Sequence, residues 1–140
     1  MASDQSRSVG ILVEGAGSVV RRSRVVSTTG STAIDPWSGT AGNSAIGIEV
    51  TGTGAQVSDN EVIKKDCTNS CTSGSQALGI VISSAPGAVL TENLILNGRL
   101  ATATSSVGIA IDTGSPSAFA DGAYLAGVAY GIVFNSTGKY

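Results

Sequence analysis

Three carboxylates recur at one position of a repeated segment: Asp59 in VSDNEVI, Glu92 in LTENLIL and Asp121 in FADGAYL. Arg22 of VRRSRVV holds the same place one segment earlier. Carboxylates stacked a few ångströms apart raise one another's pKa, which suits general acid and base work, and they can also share a calcium ion. A lyase acting on a uronan would need a strong base beside them, and Arg22 and Arg99 are the cations at hand. The plainer reading, that an acidic side chain just before a bend simply faces water, is preferred. No catalytic residue is assigned, and Asp59, Glu92 and Asp121 stand as the column to test.

Other side chains carry lesser options. Asn60 and Asn93 follow two of these acids and can form a ladder in which side-chain amides bond along a stack, a structural role. Trp37, in AIDPWSGT, either offers an indole face to a sugar ring or folds back over the core flank. Cys67 and Cys71, in KDCTNSCTSG, either close a small disulfide loop or remain thiols. With no histidine in the chain they cannot complete the usual four-ligand zinc shell, and Ser–His or Cys–His catalysis is excluded. No cofactor or metal is implied.

The formal charge is −2, and Arg21, Arg22 and Arg24 form the sole basic cluster, which leaves no electrostatic footprint for nucleic acid. No apolar run approaches the roughly 18 residues of a membrane span, and the opening MASDQSRS lacks the apolar stretch of a secretory leader. A soluble chain without a membrane partner is expected. Its compartment stays open between the cytoplasm and a secreted form whose leader has been removed.

The elements that position these residues come from a repeat. One hexapeptide occurs as SVGILV, AIGIEV, ALGIVI, SVGIAI and AYGIVF, with glycines Gly10, Gly47, Gly79, Gly108 and Gly131 each followed by Ile11, Ile48, Ile80, Ile109 and Ile132. Apolar residues alternate through each copy, the period of a strand with one buried face. The second segment follows a turn rich in Gly, Ser or Pro, with one residue inserted before Leu90 and before Phe119. Its middle position holds Ser23, Asn60, Asn93 and Gly122, types that tolerate a left-handed bend. The variable stretches, approximately Ser27 to Ser44, Lys64 to Gln76, Asn97 to Ser105 and Ala126 to Val128, read as loops on one flank.

A single repeat cannot bury its apolar face, whereas stacking at about 4.8 Å puts Ile on Ile in a column about 20 Å long. The expected fold is all-β, a short right-handed parallel β-helix, or solenoid, of about five rungs forming one domain across residues 1–140. Ile48, Ile80 and Ile109 should be the best-protected positions, and Phe119, Tyr124, Tyr130 and Phe134 should fill the core of the last turns.

At the Gly-Ile-x-Val and Val-x-x-Asn-x-Ile segments the chain resembles the pectin-lyase-like right-handed β-helix superfamily. That group includes polysaccharide lyases, polygalacturonases, epimerases, phage tailspikes and adhesins. The resemblance implies an elongated face that holds a polysaccharide. Such proteins usually have more rungs and an N-terminal capping helix, and this chain shows neither. The expected function is a non-catalytic structural or interaction module contacting glycans. The alternatives are a fragment of a polysaccharide lyase or glycoside hydrolase, and the shaft of a tailspike or adhesin. Self-association is expected, through open β-helix ends or through an apolar outer stripe of Leu12, Val81, Ala110 and Val133.

Overall fold

The computed structural model describes residues 8–26, 31–34, 41–63, 76–96, 105–112, 114–126 and 130–135. All regular structure among them is β. The chain passes through β1 (Ser8–Val13), β2 (Val19–Arg21), β3 (Arg24–Val26), β4 (Ser31–Ile34), β5 (Ala41–Val50), β6 (Gln56–Ser58) and β7 (Glu61–Ile63). It continues through β8 (Gln76–Ile82), β9 (Val89–Thr91), β10 (Leu94–Leu96), β11 (Ser105–Asp112), β12 (Phe119–Asp121), β13 (Tyr124–Ala126) and β14 (Tyr130–Asn135). The first sheet runs β1-β5-β8-β11-β14, the second β2-β6-β9-β12 and the third β3-β7-β10-β13, with parallel pairing along each path. Each circuit of the chain visits the three sheets in turn, an order compatible with a parallel β-helix.

Glycine makes the first turn of a circuit. Gly17, Gly54 and Gly87 have φ of 66°, 65° and 67°, and their N–H groups donate to Thr53 O, Pro86 O and Pro116 O of the next circuit at 2.8–2.9 Å. Ser117, with φ 60°, takes this place in the fourth circuit. Between these turns the strands stack like on like: Ile48 pairs with Ile11 on one side and Ile80 on the other, and Ile80 with Ile109. Ile48, Ile80 and Ile109 are completely buried, in a core that also takes Val57 and Leu90 from the second sheet and Val62 and Ile95 from the third.

The two-residue alternation does not run through the repeat glycine. Ile48 and Val50 lie in the main core, whereas Ile46 joins Leu78, Val81 and Ala110 in a separate cluster on the other side of the first sheet. Val9 and Ile11 divide in the same way. At the break a side chain on Gly47 would strike Val62 and lie 2.6 Å from Gly79 O, so only glycine fits. Neighbouring strands carry the same break at the same level, which preserves the register.

The fourth circuit corrects the alignment of FADGAYL. Ala120 pairs with Leu90 and Leu125 with Ile95, so this circuit carries one more inserted residue than expected. Phe119 and Tyr124 consequently face outward, 51% and 63% exposed, and Ala120 and Leu125 pack against the core instead. Within the stretch expected as a loop from Ser27 to Ser44, β4 pairs antiparallel with the first half of β5. The intervening sequence, DPWSGT, is rich in turn-forming residues, and Thr32 and Ile34 suit an extended strand.

Candidate functional site

The candidate carboxylates sit on the corner between the second and third sheets. The left-handed residue of that corner is Arg22, Asp59, Glu92 and Gly122 in successive circuits, with φ of 51°, 52°, 53° and 63°. The bend expected at Ser23, Asn60 and Asn93 falls one residue earlier, and Asn60 and Asn93 turn toward the interior, only 1% exposed, whereas at Gly122 it lies where expected. The physical reason is competition for one position. An inward amide at the second residue bonds to the circuits on either side, so the backbone reversal falls on the residue before it.

Asn60 and Asn93 form a ladder along the stack. Asn93 Oδ1 accepts from Asn60 N at 3.1 Å and from Asn60 Nδ2 at 3.0 Å, and Asn93 Nδ2 donates to Val57 O at 2.9 Å. Asn60 repeats the pattern one circuit up, accepting from Ser23 N at 3.0 Å and donating to Val20 O at 3.1 Å. Ala123 ends the ladder below Asn93.

The acids fare differently. Asp59 and Glu92 share the left-handed column and are exposed, about 4.8 Å apart in strand spacing. Asp121 does not belong to that column. The register sets it beside Thr91, in line with Ser58 and Arg21, while Gly122 stands beside Glu92. The extra inserted residue of the fourth circuit accounts for the shift, and Asp121 Oδ1 accepts from Gly122 N at 2.8 Å. The column is thus two solvated carboxylates below Arg22. Among the described residues no group of three or more His, Cys, Asp or Glu side chains is arranged to hold a metal ion.

Two acids that the repeat pattern left aside have built surroundings. Asp112 accepts from Ser84 N at 3.0 and 3.1 Å, from Ser83 Oγ at 3.2 Å and from Ser115 Oγ at 2.7 Å, while Ser115 Oγ accepts from Ala85 N at 2.9 Å. It fastens the turn of the fourth circuit to that of the third. Glu49 is 1% exposed on the outer side of the first sheet, level with Leu12 and Val81. A lone Glu in an otherwise apolar column was the signal for it in the sequence. Val81 and Ala110 are buried as well, which corrects the expected outer stripe: of its four members, Leu12 alone is described as exposed, and the side chain of Val133 is outside the described residues.

Trp37, Cys67, Cys71 and Arg99 also lie outside the described residues, as do the side chains of Tyr130, Ile132 and Phe134. No described helix is long and apolar enough to cross a membrane. A scan against protein-family models finds no match, and searches of curated proteins and of solved structures find none either.

Proposed function

We propose that the chain is a short right-handed parallel β-helix of the pectin-lyase-like kind, acting as a structural or interaction module and not as an enzyme. The observation that carries this reading is where its polar side chains are spent. Asn60, Asn93, Asp112 and Ser115 all bond from one circuit to the next, which is work of assembly. The carboxylates suited to acid–base chemistry are exposed at a corner between two sheets, with Asp121 in a different column from Asp59 and Glu92. General acid–base catalysis needs a carboxylate held within hydrogen-bond reach of a bound substrate, and an exposed corner offers no walls to hold one there. The burial of Glu49, Val81 and Ala110 further removes the outer side of the first sheet as an open cleft.

The test is direct. The purified chain is incubated with polygalacturonate, alginate and neutral glucans, with and without calcium, and read for unsaturated uronides and new reducing ends. No turnover is expected. Calcium-dependent release of unsaturated uronide that disappears in Asp59→Ala or Glu92→Ala would overturn the reading.

A further inference from the structure

The repeat is unequal among the sheets: the first has five parallel strands among the described residues, and the second and third have four each. Inward residues are also less well covered at the two ends. Val20 in the first circuit, and Ala120, Ala123 and Leu125 in the fourth, are partly exposed and Val25 is 6% exposed, while Val57, Leu90, Val62 and Ile95 between them are at most 1% exposed. We propose that a second copy of this chain covers these ends, head to tail, with β2 and β3 of one copy continuing the sheets below β12 and β13 of another. The proposal rests on the β-helix reading above and names the partner of that module.

The two ends match column by column. Gly122 and Arg22 are both left-handed at the corner, as are Ser117 and Gly17 at the preceding turn, so the backbone of the incoming circuit follows the one it meets. Asp121 falls on Arg21, Phe119 on Val19, Tyr124 on Arg24 and Leu125 on Val25. This brings an acid to a cation, joins two exposed apolar side chains, and sets a guanidinium against a phenol ring. The chain already pairs opposite charges between adjacent circuits, Arg24 Nε lying 2.8 Å from Glu61 Oε2.

The first sheet then decides the geometry. The slot under β11 is held by β14, so β1 of the incoming copy has no place there. Both strands carry the repeat, Gly131-Ile132-Val133-Phe134 in one and Gly10-Ile11-Leu12-Val13 in the other. β14 therefore takes over the register β1 holds on β5, with Ile132 on Ile48 and Phe134 on Val50, and β1 is released. Each copy gives one strand and receives one. The contact is head to tail and does not close on itself, so it generates chains of copies.

The experiment is sedimentation velocity of the full chain over a wide range of concentration, with circular dichroism to show that each variant is folded. The wild type should grow in mass with concentration, Asp121→Arg should sediment as a single chain, and Asp121→Arg with Arg21→Asp in the same chain should assemble again. A second variant, Ser8→Cys with Ala45→Cys, ties β1 to its Cα partner on β5. It should remain monomeric when oxidised and assemble when reductant is added. A wild type that stays monomeric throughout overturns self-association altogether and leaves the non-enzymatic reading untouched. Assembly indifferent to the charge reversal overturns this register, and assembly of the oxidised variant overturns the strand exchange.

Discussion

Replacing Asn93 by Ala tests whether the ladder holds the circuits together. The side chain makes three hydrogen bonds, two accepted from Asn60 and one donated to Val57 O. Its removal leaves the buried Asn60 N–H and one amide proton of Asn60 without an acceptor, at a cost of about 1–3 kcal/mol for each buried polar group left unmade. Taking the lower half of that range for the two donors gives about 3 kcal/mol, a large part of the roughly 5–15 kcal/mol that stabilises a typical domain. At about 3 °C per kcal/mol the midpoint of thermal unfolding should fall by roughly 10 °C. Urea unfolding followed by circular dichroism provides the free energy. Asn60→Ala is the internal control. It leaves Ser23 N–H, which is only partly buried and open to water, so its loss should be about 1–2 kcal/mol. Asn93→Asp adds a sign test, because the carboxylate puts an acceptor against Val57 O. Burial would raise that carboxyl above the ordinary Asp value of about 3.9, so the variant is most stable below that pH and loses stability as pH rises through its folded-state pKa. A loss in Asn93→Ala no greater than in Asn60→Ala would refute the reasoning.

Two further stability changes follow from the same stack. Gly79→Ala should cost about 2–3 kcal/mol, because its Cβ would strike Gly108 O and lie 2.8 Å from Ile95 Cγ2, whereas Gly87→Ala meets open space and should cost about 1 kcal/mol for its positive φ. Equal losses in denaturant titrations would remove the break in alternation as the reason for the repeat glycine. Ala123→Asn should raise stability by about 1 kcal/mol by carrying the ladder one circuit further, measured the same way, and a destabilised variant would show that the column does not continue.

The fold was legible because a stacked architecture writes the same residue at the same phase each time. Gly-Ile-x-apolar, returning through the chain, placed the first-sheet strands and buried Ile48, Ile80 and Ile109 together. The corner was legible in kind, but the left-handed residue lies one position before Ser23, Asn60 and Asn93, and only at Gly122 does it fall where the pattern put it. Asn is the usual non-glycine occupant of such a backbone, and nothing local shows that its amide is needed inside. Asp121, Phe119 and Tyr124 were misplaced by a single inserted residue, which changes the face of every side chain that follows it.

What the sequence determined by itself is therefore the period, the parallel strands of the first sheet and the stacked Gly-Ile column, since these depend on local pattern repeated many times. What only the tertiary structure decided is which residue of each strand faces in. It divided Ile46 from Ile48 at a glycine whose Cβ would strike Val62 from another sheet, and it buried Glu49, Val81 and Ala110 on the side that the alternation leaves in water. The reason is that direction along a strand is set by contacts between distant segments, and a kink repeated in register costs the ladder nothing while changing what each face presents.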